Sequence, residues 1–383
     1  MSPERLRMLH VSSGNLYGGV EAILVTLASF RHLCPAMEPH FALSFEGRLS
    51  QELIECGVPV YVLGKVRVSR PWTVWRTRRR LSRLLSREQF DFVVCHMPWS
   101  LAIFGGVAQA KGLSLAFWAH GLHSGRHWLE RWACRTKPDL AIANSHFTSN
   151  AFPHLFPQIR SGVIYPPVAL DTQRKSGYHR GDARQELQVP EDTVVIIQVS
   201  RLESWKGHLL HLRALSLLKN LNIPWVCWMV GGAQRIEEAD YLKQIQQAAS
   251  DLGVSDRVRF LGARGDVPRL LKAADIFCQP NQQPEPFGIV FIEALAAGLP
   301  IVTTAMGGAL EIVDESCGLL VQPDDVAALA QSLTQLIESP ELPMMLGQAG
   351  PARARELCDP GMQMARLSEL ARSAVIHRES NPS

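Results

Sequence analysis

The stretch EPFGIVFIEALAAGLP, Glu285–Pro300, decides how the chain is read. It opens on a glutamate, carries a second at Glu293, and closes on Gly298 and Pro300. Upstream, DIFCQP (275–280) is an apolar run of strand length, and NQQPEPFG (281–288) contains Pro284 and Pro286 and reads as a loop. IVFIEALAAG (289–298) is then a helix ended by glycine, and PIVTT (300–304) the next strand. This order puts Glu285 at the carboxyl end of a strand. Gly288, near the helix start, lets a ligand approach backbone N–H groups, which with the helix dipole favour an anion such as phosphate. Glu293, more than a turn along, reaches a different part of one elongated ligand. Carboxylates accept hydrogen bonds from vicinal hydroxyls, which suits sugars and ribose. Ala294, Ala296 and Ala297 let the helix come close to the sheet. The competing reading is a first-turn glutamate that completes a cap, with Glu293 on a solvated face.

The same rhythm runs through the chain. RMLHVSS, HFALSF, VPVYVLG, DFVVCHM, LSLAFWAHG, DLAIANS and SGVIYPPV read as strands in the first half. TVVIIQVSRL, WVCWMVGG, RVRFLGA, DIFCQP, PIVTTAM and GLLVQP follow in the second, with helical patterns between. Alternating βα units predict an α/β protein with parallel sheets covered by helices. The 383 residues favour two domains, each doubly wound, with ligands beyond the carboxyl ends of the strands in a cleft between them. YPP and the polar DTQRKSGYHRGDARQ, with Gly177 and Gly181, put the boundary near 165–185. The expected domains are 1–168 and 185–360, followed by a helical tail, 361–383, that packs back on the first domain and frays at its end.

The totals exclude several classes. Lys plus Arg is 39 against 36 for Asp plus Glu, so the net charge of +3 gives no reason to expect nucleic-acid binding. The start lacks an apolar h-region, so no signal peptide is read, and no run approaches the ~20 apolar residues of a membrane span. The 8 cysteines are scattered without a CxxC pair and read as buried thiols in a reducing cytosol, with no metal site.

Further motifs sit at strand ends. In VSRLESWKGH (199–208), Arg201 and Lys206 stand near a helix start opened by Gly207, as a diphosphate clamp or as solvated loop cations. In GNLYGGVE (14–21), Gly18 and Gly19 admit a sugar or phosphate to the backbone or form an ordinary tight turn. His120 ends the strand FWAHG and is placed for a sugar hydroxyl or a structural role. MGGALEIV (306–313) is a second glycine-led helix start, and ANSHFTSN (143–150) a polar strand end with capping potential. VRVSRPWTVWRTRRRLSRLLSR (66–87) sets 8 arginines around Val74, Leu81, Leu84 and Leu85, with Trp72 and Trp75. It is either a contact for anionic lipid head groups through 67–87 or a solvated basic face.

Together, YGGVE, AHG, VSRLESWKG, RVRFLGARGDVPRLLKAADIFCQP and EPFGIVFIEALAAGLPIVTTAMGGALEIV resemble family 4 of the retaining glycosyltransferases, which have the GT-B fold. The resemblance implies a nucleotide diphosphate sugar, UDP- or GDP-linked, as donor, and a glycan, lipid-linked or small-molecule acceptor. It implies that Glu285 holds donor sugar hydroxyls, with the backbone of Phe287, Gly288 and Ile289 near sugar and phosphate. Glu293 would accept from the ribose, Arg201 and Lys206 would neutralise the leaving diphosphate, and His120 would face the sugar. Gly18 and Gly19 would meet the diphosphate, and Ala263 and Arg264 would flank the base. No cofactor or metal is implied, and the enzyme would be cytoplasmic, at most peripheral on a membrane. A GT-B epimerase or phosphorylase, or a non-catalytic sugar-nucleotide binding protein, would share the fold and the phosphate chemistry.

Overall fold

The computed structural model describes residues 5–15, 18–170 and 179–380. Leu16 and Tyr17 of the first turn, the linker stretch 171–178 with Gly177, and residues 381–383, on which the expected fraying falls, lie outside the described residues. The chain forms two compact units, 1–169 with 358–383, and 170–357.

In the first unit, strands β1 (Leu6–Ser12), β2 (Met37–Leu43), β3 (Val60–Val62), β4 (Phe92–His96), β5 (Ser114–Ala119), β6 (Leu140–Ala143) and β7 (Ser161–Val163) form one sheet, ordered β3-β2-β1-β4-β5-β6-β7. In the second, β8 (Val194–Val199), β9 (Trp225–Val230), β10 (Val258–Gly262), β11 (Ile276–Gln279), β12 (Ile301–Thr304) and β13 (Gly318–Val321) are ordered β10-β9-β8-β11-β12-β13. Every pairing is parallel. Strands covered on both faces need continuous apolar runs, and Phe92, Val93, Val94 and Cys95 are accordingly all buried. Both sheets reverse strand order once, between β1 and β4 and between β8 and β11. Those reversals open a crevice at the strands' carboxyl ends.

The helix Pro360–Ser380 belongs to the first unit. Arg372 donates to the Ala36 carbonyl (2.9 Å), and Arg378 to Leu113 O (2.7 Å) and Asp139 Oδ2 (2.8 Å). Gly162 makes room for it, since a Cβ there would lie 2.6 Å from Leu370.

The basic helix Pro71–Arg87 buries Val74, Leu81, Leu84 and Leu85, with Thr77 completing the stripe. Two of its arginines differ from a simple solvated face. Arg78 donates to the carbonyls of Ile103 (2.6 Å) and Ala102 (3.0 Å), and Arg80 to Leu63 O (2.8 Å). Long side chains reach from a helix rim to neighbouring backbone carbonyls while their stems cover apolar surface. Among the described residues no helix is long and apolar enough to cross a membrane.

Arg184 fastens the second unit. Its side chain is 2% exposed and donates to the carbonyls of Ala273 (2.9 Å), Pro190 (3.1 Å) and Thr193 (2.9 Å) and to Asp275 Oδ2 (2.5 Å). The same carboxylate oxygen accepts the Val195 N–H at the start of β8 (2.7 Å). Arg184→Met removes a nearly buried guanidinium and its bonds to Ala273 O, Thr193 O and Asp275, whose carboxylate keeps Arg180 and the Val195 N–H as partners. It should destabilise by about 1–3 kcal/mol, read as a lower urea midpoint with unchanged slope; a change below ~0.5 kcal/mol would contradict this role.

Candidate active site

The second unit gathers its polar side chains at the β8–β11 reversal. Beyond β8 the chain makes a short 3₁₀ turn, Ser204–Lys206, and leaves it through Gly207 at φ 74°. A Cβ on Gly207 would sit 1.7 Å from the Pro280 carbonyl oxygen, so glycine is required. This close approach brings Lys206 against the loop after β11. Its ammonium donates to Glu285 Oε2 and lies 4.0 Å from the centre of the Trp205 ring. Beneath it, Gln198 Nε2 donates to the Lys206 carbonyl (2.9 Å), and Gln198 Oε1 meets His211 Nδ1 at 2.8 Å. Burial lowers the Lys206 pKa despite the Glu285 carboxylate beside it. The Lys206 and Glu285 side chains are only 11% and 12% exposed, so this is a buried ion pair.

Glu285 is held from two further sides. Asn281 Nδ2 donates to the same carboxylate oxygen (3.2 Å), and Gln279 Nε2 donates to Asn281 Oδ1 (3.1 Å). Its backbone forms a parallel bridge to Gly307, and Gly308 N donates to Glu285 O at 2.7 Å. Gly307 has φ 61°, and a Cβ there would lie 2.4 Å from Glu285 O; one on Gly308 would lie 2.6 Å from Phe287 Cα. The two glycines of MGGALEIV therefore let one loop lie directly on another. The helix they precede, Ala309–Ile312, is only 4 residues long.

The helix Ile289–Ala296 follows, led by Gly288 at φ 102°. A Cβ on Gly288 would meet the Phe291 ring at 2.4 Å. Phe287 turns its ring into the core, so its backbone, with those of Gly288 and Ile289, edges the helix start. Glu293 sits half-buried a turn further on, and desolvation pushes its carboxyl up to about 7. Arg201 stays half-exposed and pairs with Glu203 Oε1 at 2.9 Å. The Arg264 guanidinium turns to Asp266 (2.7 and 2.8 Å) and Glu186 (2.9 Å), while Ala263 lies exposed over Gly232.

In the first unit His120 follows β5. Its Nε2 lies 2.8 Å from His96 Nδ1, its ring stacks on Trp118, and its carbonyl accepts Asn144 Nδ2 at 3.3 Å. Burial lowers its pKa to about 3. Gly18 has extended backbone, φ −165°, and donates its N–H to Glu21 Oε2 at 3.0 Å before the helix Gly19–Ser29. The left-handed position of that turn is Gly14, φ 76°. Ser145 caps a short helix by accepting Thr148 N at 2.9 Å, so the polar strand end does act as a cap.

Gln198, Gln279, Asn281 and Trp205 were not singled out from sequence, nor were His10 and His96 in the first unit. The available signal was a polar residue in the last positions of an otherwise apolar strand, as in IIQVS, FCQPN and FVVCHM.

The family described as Glycosyl transferases group 1 matches residues 179–353, and Glycosyltransferase Family 4 matches residues 17–172. The GDP-mannose-dependent alpha-(1-6)-phosphatidylinositol monomannoside mannosyltransferase of Mycolicibacterium smegmatis is 30% identical over 309 residues, 76% of this chain and 78% of that protein. The D-inositol 3-phosphate glycosyltransferase of Streptomyces scabiei is 33% identical over 199 residues, covering 50% of this chain but only 44% of its own length. The Anabaena Alr3699/HepE structure in complex with UDP and glucose superposes with a TM-score of 0.82 at 25% identity, over 96% of this chain and 100% of that one. This chain belongs to glycosyltransferase family 4, and its two parallel-sheet, Rossmann-like units are those of the GT-B fold.

The raised Glu293 carboxyl has consequences of definite sign. A carboxyl whose folded-state pKa lies above its unfolded value binds more protons when folded. Stability from this group is therefore complete below pH 4.5 and is lost as pH rises toward about 7. Glu293→Gln should raise the ligand-free melting temperature at pH 8 relative to wild type, with the gain vanishing at pH 5. Thermal scans at both values check this, and an equal shift at both would show that Glu293 is not desolvated.

Proposed function

We propose that the protein transfers a hexosyl group from a UDP- or GDP-sugar to a glycan, lipid-linked or small-molecule acceptor, with retention at the anomeric carbon. The observation that carries this is the buried Lys206–Glu285 pair, set with Asn281 at the carboxyl ends of β8 and β11 and followed by a helix start. An ammonium and the first-turn N–H groups suit a diphosphate. A carboxylate beside them suits sugar hydroxyls, and Glu293 suits the ribose. The names of the relatives support this donor class, one printing GDP-mannose and one structure holding UDP and glucose.

In this reading the donor's sugar hydroxyls displace part of the Lys206–Glu285 contact, and the freed ammonium turns to the phosphate. Arg201 leaves Glu203 to join it. The acceptor hydroxyl attacks from the face the diphosphate is leaving, and the departing phosphate oxygen takes its proton. Two side-chain cations thus meet the growing charge, without a cofactor. The backbone of Phe287, Gly288 and Ile289 lies along sugar and phosphate. Ala263 and the adjoining backbone flank the base, since the Arg264 side chain is committed to carboxylates. Gly18 and Gly19 admit the diphosphate, and His120 offers a ring nitrogen to a sugar oxygen.

Lys206→Met and Glu285→Gln should each lower turnover about 10²–10³-fold, the effect of losing one such stabilising group. Each single variant also leaves a buried partner unpaired and should melt earlier. The double variant should regain stability while staying inactive. Initial rates with UDP-glucose and GDP-mannose, beside melting curves, separate the two effects; single variants that turn over normally would overturn the assignment.

For the acceptor we propose a lipid-linked or polyanionic molecule met at an anionic membrane surface. Trp72 and Trp75 are 64% and 62% exposed, and Arg79, Arg83, Arg87 and Lys111, with Ser82 and Ser86, line one open surface depression. Each cation near an anionic bilayer adds about 1 kcal/mol. Arg78 and Arg80 are bound to carbonyls, so the informative variant replaces Arg76, Arg79, Arg83 and Arg87 with Gln. Wild-type protein should sediment with vesicles containing phosphatidylglycerol at low salt but not at high salt, and the variant should not sediment at either. Wild-type protein staying in the supernatant would leave a soluble acceptor.

A further inference from the structure

Trp205 stands one residue before Lys206, and contacts on several sides fix it there. Its carbonyl accepts the Gln282 N–H at 2.7 Å, which ties the 3₁₀ turn to the loop after β11. Its indole Nε1 donates to Glu203 Oε2 at 2.9 Å. The other oxygen of that carboxylate pairs with Arg201 at 2.9 Å, so Glu203 joins the ring to the second cation of the site. The Lys206 ammonium lies 4.0 Å from the ring centre. That is well inside the ~6 Å reach of a cation–π contact.

The two partners of this ammonium differ in kind. Glu285 Oε2 accepts a hydrogen bond on one side, and the indole face covers another. A buried cation must be compensated. A second carboxylate in place of the ring would do so, but it would add a negative charge where a diphosphate is to bind. The aromatic quadrupole attracts the cation while the ring carries no net charge. A sugar hydroxyl that takes up Glu285 weakens the carboxylate contact and leaves the ring contact unchanged.

We propose that Trp205 is a positioning residue, whose ring keeps the buried Lys206 ammonium charged and in place without adding negative charge to a diphosphate site. Glu203 holds that ring by its indole N–H. The inference rests on the proposed transferase reading only in what the ammonium meets. The charged and titratable groups facing Lys206 are Glu285 from the loop after β11, Arg201 and Glu203 from the loop after β8, and His208 from the helix that follows. Desolvation lowers the Lys206 pKa and Glu285 opposes it. His208 stays neutral, its pKa lowered to about 4 by burial and by Lys206 itself. The π face acts in the same direction as Glu285, favouring the protonated form.

Proton–carbon correlation spectra of the ¹³C-lysine-labelled full chain, with the Lys206 signal assigned by Lys206→Met, read the contact directly. The Lys206 εCH₂ protons should be shifted upfield by the indole ring current, and an ordinary lysine position in the wild-type protein would overturn the proposal. Trp205→Leu keeps apolar cover without a π face, and there Lys206 should titrate about one pH unit below wild type, the size of a desolvated cation–π contact. Trp205→Phe restores a π face and should titrate as wild type does. A leucine variant that titrates as wild type would also overturn the proposal. Turnover of UDP-glucose or GDP-mannose followed against pH gives the matching kinetic reading. The alkaline limb of kcat should move down by the same interval in Trp205→Leu and not in Trp205→Phe, whereas a merely structural loss would lower kcat at every pH and overturn the proposal. If the leucine variant does not fold, the wild-type ring-current shift decides. If the wild-type protein transfers neither sugar, the transferase reading fails while the lysine titration still decides the role of Trp205.

Discussion

A lysine and a glutamate held together out of water set the terms for the second unit. Taking both charges from solvent costs several kcal/mol per ion, and their attraction repays this only when geometry and further hydrogen bonds are right. The surroundings of Lys206 and Glu285 supply those conditions. Gly207 lets the Lys206 turn touch Pro280, Gly307 and Gly308 let a second loop lie on the Glu285 backbone, and Asn281 adds a donor. Their common effect is to keep a cation and an anion in fixed places at the carboxyl ends of β8 and β11.

The two units use one topology for different electrostatics. Each sheet reverses its order once, and each places polar side chains at the carboxyl ends beside the reversal. In the first unit the polar chain is built from histidines that burial keeps neutral. In the second, a neutral layer of Gln198, His211, Gln279 and Asn281 supports a charged one.

The basic helix shows how far composition can mislead about surface charge. Its arginines look equivalent in sequence, yet Arg78 and Arg80 donate to backbone carbonyls, while Arg79, Arg83 and Arg87 line an open surface depression. Arg79 also lies over Trp75 at 5.3 Å, which stiffens an exposed aromatic beside the cations.

The sequence by itself determined the alternation of strands and helices, because strands buried on both faces read as continuous apolar runs and turn residues such as Gly298 and Pro300 punctuate the segments between them. It also marked Glu285, Glu293, Arg201 and Lys206 through their positions after strands. It could not decide that Lys206 and Glu285 pair, because their contact spans 79 residues and depends on loops meeting without a Cβ between them. Nor could it separate the glycines that free a backbone for ligand from those, like Gly307 and Gly308, that free it for another loop. The histidine chain was equally hidden, since His10, His96 and His120 come from strands far apart in sequence and adjacent only in the sheet. Local spacing fixes which residues end a strand, whereas strand order alone fixes which of those ends become neighbours.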